Sequence, residues 1–147
     1  MNGPKTGDGA CTHTGCADAA TVASFRKLAR DWFNSTVNLD AERVSDIVLA
    51  IDEALTNCAE HAYSDQQAAA VMTLTIAYDR AEATVQVCVI DHGRWIEPDP
   101  AAINAVRGRG IILMHALADN CTITSGLDGT TVCLHFHRCP ALNRTVS

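Results

Sequence analysis

The chain has 147 residues, 48% of them hydrophobic, and a formal net charge of −6. This length suits one domain with a sizeable core. The acidic balance, without a basic block or aromatic stripe, argues against an electrostatically driven nucleic-acid or membrane binder. No apolar run is long enough to span a bilayer, and the N-terminal segment lacks the apolar core of a secretory signal. We therefore expect a cytoplasmic protein whose seven cysteines are reduced thiols.

The first half of the chain predicts two helices. Residues 1–17 are interpreted as a flexible tail or an edge strand, with the folded domain covering 18–138. Asp18 can cap a helix that ends near residue 34, and Asp40 can cap a longer helix over about 41–63. Six apolar residues of the longer helix recur at helical spacing and are expected to face the core: Ile47, Val48, Ile51, Leu55, Cys58 and Ala62.

The second half predicts a hairpin, a long loop, a helix and another hairpin. In chain order these cover about 71–78, 84–90, 93–109, 110–119, 121–124 and 130–137, and 139–147 is interpreted as a C-terminal tail. A loop of that length is usually a lid or a binding loop. Because hairpins predominate and helices cluster, we expect an α+β fold. Its mixed, mostly antiparallel sheet would carry the helices on one face, in two layers.

The long helix carries a polar stripe beside its apolar face. Glu53 and Asn57 are four residues apart, so their side chains point the same way. Few charges lie between Val48 and Cys58, which indicates a helix buried on most of its circumference, where polar side chains need a reason. The Asn57 amide suits a hard cation such as Mg²⁺, and Glu53 could accept a proton from an attacking hydroxyl.

Two further motifs contain residue types that can bind a nucleotide. Asp91-x-Gly93 ends a predicted strand, where the carboxylate can accept a hydrogen bond from an adenine amino group and the glycine leaves room for the ring. Gly108-x-Gly110 is predicted immediately before a helix, where glycines let the backbone approach phosphate oxygens. Each motif alone is equally typical of an ordinary turn.

Side chains near these motifs could support the same ligand. Arg107 and Arg109 flank the glycines and can add charge at the phosphates. His61 could contact phosphate or merely cap the end of its helix. The segment Gly129-Thr-Thr131 enters the last predicted strand and is the final part of the pattern.

In this order, the motifs resemble the GHKL ATP-binding superfamily, which includes histidine kinases and gyrase-type ATPases. The strings EALTNCAEHAY, DHGRW, GRGIILMHALAD and GTTV resemble the bacterial anti-sigma factor serine/threonine kinases (RsbW-like). The resemblance covers about residues 18–137. It implies a Bergerat-type two-layer fold, with ATP or ADP and Mg²⁺ as cofactors.

The resemblance also implies a role for each matching residue. Glu53 would be the catalytic base and Asn57 the Mg²⁺ ligand. Gly108 and Gly110 would hold phosphate. The adenine site would comprise Asp91, Gly93 and Thr131, with Thr130 as the less favoured neighbour.

Two departures from the pattern refine this expectation. Trp95 stands where the first glycine motif often has a second glycine, so its ring could cap or block the nucleotide. The lid is short and no phosphoacceptor-histidine helix precedes the domain, which favours a hydroxyl on another protein as acceptor. The expected protein is thus an anti-sigma factor kinase that sequesters a sigma factor and phosphorylates a serine of an anti-anti-sigma (STAS-type) partner, as a homodimer without nucleic-acid or membrane contacts.

Two alternatives remain open at this point. The first is a nucleotide-binding module that inhibits a partner without catalysis. The second is a metal or redox sensor built on the final strand, whose alternating residues would share one face: Cys133, His135, His137 and Cys139. Ligands two residues apart on a straight strand are about 7 Å from each other, which disfavours convergence on one metal ion.

Overall fold

In the computed structural model, the described part of the chain folds into one sheet with helices on one face. That part comprises residues 10–64, 70–91, 105–126 and 129–142, without the side chains of 61–64, 105–109 and 125–126. The elements are β1 (Cys11–Cys16), α1 (Ala19–Thr36), α2 (Ala41–Ser64), β2 (Val71–Asp79), β3 (Thr84–Asp91), α3 (Ala105–Leu117), β4 (Asn120–Gly126) and β5 (Gly129–Phe136). The predicted α+β fold is confirmed. Within these ranges, no helix has the length and apolar character needed to cross a membrane.

The sheet has the strand order β1-β2-β3-β5-β4, and all pairings between the described strands are antiparallel. Side chains alternate between the two faces of a strand, so every second residue of the central strands is buried under the helices. These residues are Met72, Leu74, Ile76, Tyr78, Val85, Val87, Val89, Val132, Leu134 and Phe136. The apolar row fixes which face of the sheet packs against the helices.

Both predicted helix caps are confirmed. The Asp18 carboxylate accepts a hydrogen bond from the Thr21 amide (2.8 Å), and the Asp40 carboxylate accepts one from the Arg43 amide (2.7 Å). Each bond satisfies one of the amides that the first turn of a helix leaves unpaired. Five of the six α2 residues expected in the core are buried, and the Ala62 side chain lies outside the described residues.

The segment predicted as a C-terminal tail packs on the core as far as Leu142. The Cys139 amide donates to the carbonyl of Ala83 (2.8 Å), and its own carbonyl accepts from the buried Tyr78 hydroxyl (2.7 Å). Ala141 then forms an isolated antiparallel bridge with Val37, between α1 and α2. This end of the chain therefore covers the edge of the core at the β2–β3 turn.

Cys133 on β5 forms a disulfide with Cys88 on β3. The two residues are directly opposite each other in the antiparallel register, with Cα atoms 4.1 Å apart. The prediction that all cysteines are reduced thiols is therefore wrong for this pair. The sequence alone did not reveal the pairing because β3 and β5 are neighbours only through the order of the sheet. The free cysteines are Cys11, Cys16, Cys58, Cys121 and Cys139.

The expected row of metal-ligand side chains on the last strand does not form. The strand ends at Phe136, and Arg138 has a positive φ of 56°, which turns the chain so that Cys139 is buried in the core. Cys133 is already bonded to Cys88. No group of three His, Cys, Asp or Glu residues within the described ranges is placed to hold a metal ion.

Reduction of the disulfide is expected to lower the free energy of unfolding by about 2–4 kcal/mol, because the bond closes a loop between residues 45 apart in sequence. Urea denaturation with and without a dithiol reductant measures this difference. The double variant Cys88→Ser/Cys133→Ser should be insensitive to the reductant, whereas Cys121→Ser should behave like the unmodified chain. Equal stability in both redox states would contradict the expectation.

Candidate functional site

The polar stripe of α2 lies against a glycine of α3. A Cβ atom placed on Gly110 would lie 3.2 Å from Glu53 Oε1, 3.5 Å from Asn57 Nδ2 and 3.6 Å from Asn57 Oδ1. The first distance is shorter than an unstrained contact, so an alanine there would force the Glu53 carboxylate to shift. The structure thus brings Glu53, Asn57 and Gly110 together, as the sequence predicts. The glycine lets the α3 backbone approach both polar side chains.

The Gly108-x-Gly110 motif differs from the prediction in one respect. Helix α3 begins at Ala105, so both glycines lie inside the helix rather than immediately before it. Each glycine costs about 1 kcal/mol relative to alanine within a helix, which is why the segment resembled a loop. The packing of α3 on α2 offsets that cost, and the glycine at 110 lets the helix backbone approach Glu53 without displacing its carboxylate. The backbone amide of Gly110 is therefore a helical amide in this structure.

Glu53 occupies a half-buried position whose surroundings disfavour its charge. Burial raises the pKa of the Glu53 carboxyl, and the nearby carboxylates of Asp52 and Glu60 raise it further. A carboxyl with a raised pKa accepts a proton more readily than one in water, as a general base requires. The site therefore holds a carboxylate suited to proton transfer beside a carboxamide.

Helix α1 contacts the same turn of α2 through an ion pair. Arg26 Nη1 on α1 donates to Asp52 Oδ1 at 2.8 Å, and both side chains are partly exposed. The pair holds the Asp52 carboxylate on the side of α2 that faces α1. Sequence reasoning missed this contact because it joins residues on two different helices.

Asp91 is the last residue of β3 and is 5% exposed, on the face of the sheet that α2 covers. Cys58, which follows Asn57 on α2, lies close to it. Burial raises the pKa of the Cys58 thiol to about 12, with the Asp91 carboxylate as a second cause. The Cys58 thiol is therefore uncharged at neutral pH and behaves as packing, as the sequence indicates. Because Cys58 follows Asn57 on α2 and lies close to Asp91, the Glu53–Asn57 pair is on the part of α2 that is near Asp91.

The two threonines of the last glycine motif lie on opposite faces of the sheet. Thr130 is directly opposite Asp91, whereas Thr131 is opposite Ile90. The Thr130 hydroxyl is buried and has no hydrogen-bond partner among the described residues. A buried hydroxyl without a partner costs free energy, which a ligand at this site can offset. The register therefore makes Thr130, rather than Thr131, the neighbour of Asp91. Which of the two threonines lies next to the adenine stays a prediction.

Several residues expected at the site cannot be placed. Gly93 and Trp95 lie outside the described residues. The backbones of His61, Arg107 and Arg109 belong to helices, but their side chains lie outside the described part. Their contacts with a ligand remain predictions.

The donors that the structure does place fit a nucleotide with a divalent cation. Asn57 offers an amide oxygen, a ligand type that Mg²⁺ accepts together with phosphate oxygens and water. Asp91 and Thr130 offer an acceptor and a buried hydroxyl side by side at the ends of two strands. Gly110 lets the α3 backbone approach Asn57 and Glu53 closely.

Two solved structures resemble this chain across most of its length. One contains the RsbU and RsbW domains of Rv1364c from Mycobacterium tuberculosis, with 26% identity and a TM-score of 0.65. Its match covers 94% of this chain and 34% of that chain. The other is the histidine kinase domain of the blue-light activated histidine kinase EL346 from Erythrobacter litoralis, with 25% identity and a TM-score of 0.58. Its match covers 80% of this chain and 63% of that chain. This chain thus spans less than two thirds of either matched chain.

The family profile described as histidine kinase-like ATPase domain matches residues 16–136. This range contains the described strands β2 to β5, the last residue of β1, the three described helices and each polar residue of the site described above. It also includes the adjoining ends of β3 and β5, where Asp91 and Thr130 lie. The chain therefore belongs to the histidine kinase-like ATPase domain family, a family of nucleotide-binding, kinase-like domains.

Proposed function

We propose that this protein is an ATP- and Mg²⁺-dependent protein kinase that transfers phosphate to a serine or threonine hydroxyl on a partner protein. The observation that supports this most directly is the close approach of the α3 backbone at Gly110 to both Glu53 and Asn57. This approach brings together the Glu53 carboxylate, the Asn57 carboxamide and the backbone of α3. A purely structural helix pair would gain nothing from a half-buried carboxylate whose charge is disfavoured.

Each part of the site has a separate task in this proposal. Asp91 accepts a hydrogen bond from the adenine amino group, and the buried Thr130 hydroxyl is available to the same ring or to a water molecule beside it. Asn57 holds Mg²⁺, which would neutralise charge on the phosphates. Glu53 accepts the proton of the partner's hydroxyl as the hydroxyl oxygen attacks the terminal phosphoryl group.

We further propose that the partners are a sigma factor, which the protein sequesters, and an anti-anti-sigma protein of the STAS type, whose serine is the acceptor. The similarity to a chain containing RsbU and RsbW domains supports this choice of partners. ADP is the product that remains at the site, and the active species is a homodimer located in the cytoplasm.

Asn57→Ala is expected to weaken Mg²⁺-ATP binding about tenfold to hundredfold, because a charge-assisted ligand contributes about 1.5–3 kcal/mol. Calorimetry with and without Mg²⁺ tests this. Asn38→Ala, on the connector between α1 and α2, is the matched control and should bind normally. If the unmodified chain binds no ATP at millimolar concentration, the nucleotide site and the kinase are both wrong.

Glu53→Gln is expected to reduce phosphate transfer to the partner by a factor of about 10²–10⁴ while ATP binding is retained, since the amide cannot accept the proton. The measurement is transfer of labelled phosphate from ATP to a purified acceptor protein. Glu60→Gln, on the exposed side of the same helix, is the control and should remain active. Full activity of Glu53→Gln would contradict the assignment of Glu53 as the base. ATP binding without any phosphate transfer by the unmodified chain would instead leave the protein as a nucleotide-binding inhibitor without catalysis.

The pH dependence of transfer should follow Glu53. Its carboxyl must be ionised to act, and burial, Asp52 and Glu60 raise its pKa, so activity should fall with decreasing pH sooner than for a glutamate in water. Asp52→Asn removes one of the charges that raise this pKa and should therefore move the acidic limb of the profile to lower pH. Rate measurements across pH on both forms provide the test, and an unmoved limb would contradict the assignment of Glu53 as the base.

A further inference from the structure

The Cys88–Cys133 disulfide lies close to the proposed adenine site. Cys88 is three residues before Asp91 on β3, and Cys133 is three residues after Thr130 on β5. Because β3 and β5 are antiparallel, one register places Asp91 opposite Thr130 and Cys88 opposite Cys133. The covalent bond therefore joins the two strands that carry the nucleotide-facing pair, three rungs from the end at which Asp91 and Thr130 lie.

The bond is on the face of the sheet opposite the helices. Residues of β3 and β5 alternate in burial, and Cys88 and Cys133 are half-buried, whereas Val87 and Val132 on the helix side are buried. Their neighbours across the next strands are Thr75 on β2 and Thr122 on β4, and Thr122 is exposed. A small oxidant or a thiol reductant can therefore approach the sulfur atoms without passing through the apolar core.

The register of the sheet would also hold the two cysteines opposite each other after reduction. Their closeness results from the β3–β5 register, which the buried apolar row fixes independently of the sulfur bond. Bond formation therefore needs no rearrangement of the backbone, and the second thiol is always near the first. This arrangement favours repeated oxidation and reduction of the folded protein.

We propose that Cys88 and Cys133 form a reversible thiol–disulfide site that controls nucleotide affinity by holding the β3–β5 ladder together beside Asp91 and Thr130. The inference rests on the proposed function, in that Asp91 and Thr130 bind the nucleobase. It gives the kinase a direct sensitivity to oxidants. It also assigns a role to Cys133 of the last strand that a metal site does not explain.

The oxidant is a hydroperoxide. One thiolate attacks the peroxide oxygen, forming a sulfenic acid and releasing water or an alcohol, and the second thiol then displaces a further water as the S–S bond forms. The two thiols lose two electrons and two protons in total, which the peroxide takes up. In the reverse direction, a dithiol reductant attacks the bond through a mixed disulfide and leaves as its own disulfide.

The effect on the site follows from the position of the bond. Asp91 is the last residue of β3, and the terminal rungs of a ladder open more readily than central ones. A covalent link three rungs inward restricts this opening and so increases the fraction of molecules in which Asp91 and Thr130 are correctly placed. Apparent affinity scales with that fraction, so we expect the oxidised form to bind ATP about three- to tenfold more tightly than the reduced form.

The experiment compares the full-length chain after treatment with hydrogen peroxide and after treatment with excess dithiol. Alkylation of the unfolded protein should then count five thiols in the oxidised form, the free cysteines, and seven in the reduced form. Mg²⁺-ATP binding is measured by calorimetry on both forms. Cys88→Ser/Cys133→Ser should bind like the reduced form in both conditions, and Cys121→Ser should retain the difference.

A three- to tenfold difference that disappears only in the double variant supports the proposal. Equal ATP affinity in the two forms overturns it while leaving the proposed function intact, and so does a disulfide that excess dithiol does not reduce in the folded protein. If neither form binds ATP, the proposed function fails. Amide hydrogen exchange then tests separately whether the disulfide controls opening of the β3–β5 ladder. Faster exchange at Ile90 and Asp91 in the reduced form, with Val85 unchanged, supports redox control of the ladder, and identical exchange overturns it.

Discussion

The antiparallel pairing of β3 with β5 determines which side chains are buried, which lie at the proposed nucleobase site and which form the disulfide. One register places Val87 and Leu134 under the helices, Asp91 opposite Thr130 at the strand ends, and Cys88 opposite Cys133 on the other face. A slip of one residue would send each of these side chains to the wrong face. The core, the proposed nucleobase site and the disulfide are therefore three consequences of a single alignment.

Helix α2 packs on the paired strands and also carries Glu53 and Asn57, the residues proposed for proton transfer and Mg²⁺ binding. Its apolar face packs on the sheet, and Cys58 on this face lies near Asp91. Its polar stripe meets α3 at Gly110, where Glu53 and Asn57 are held together. The half-buried Glu53 carboxylate is unfavourable for stability, because its pKa is raised and its charged form is disfavoured by the fold. This cost falls at the position where proton transfer is proposed, as is common for functional sites.

Local patterns in the sequence predicted the elements and much of the site. Helical spacing predicted the buried face of α2 and the Glu53–Asn57 pair, and the side chains of Asp18 and Asp40 predicted the helix starts. The start of α3 was not predictable, because two glycines resemble a loop unless the packing of Gly110 on α2 is known. The Arg26–Asp52 pair was missed because only the tertiary arrangement of α1 and α2 brings the residues together. The disulfide was missed because only the register of β3 with β5, which the sequence does not show, places Cys88 opposite Cys133.

The attachment of the C-terminal segment has a practical consequence. Cys139 and Ala141 are bound beside the β2–β3 turn and the α1–α2 connector, at the end of the sheet remote from Asp91. Strand β3 separates the two ends by roughly 20 Å at 3.3 Å per residue. A fluorophore or surface tether attached next to Leu142 would therefore leave the proposed nucleotide pocket unobstructed. Such a probe could immobilise the protein or report its encounters with partners while the proposed site stays accessible to ATP.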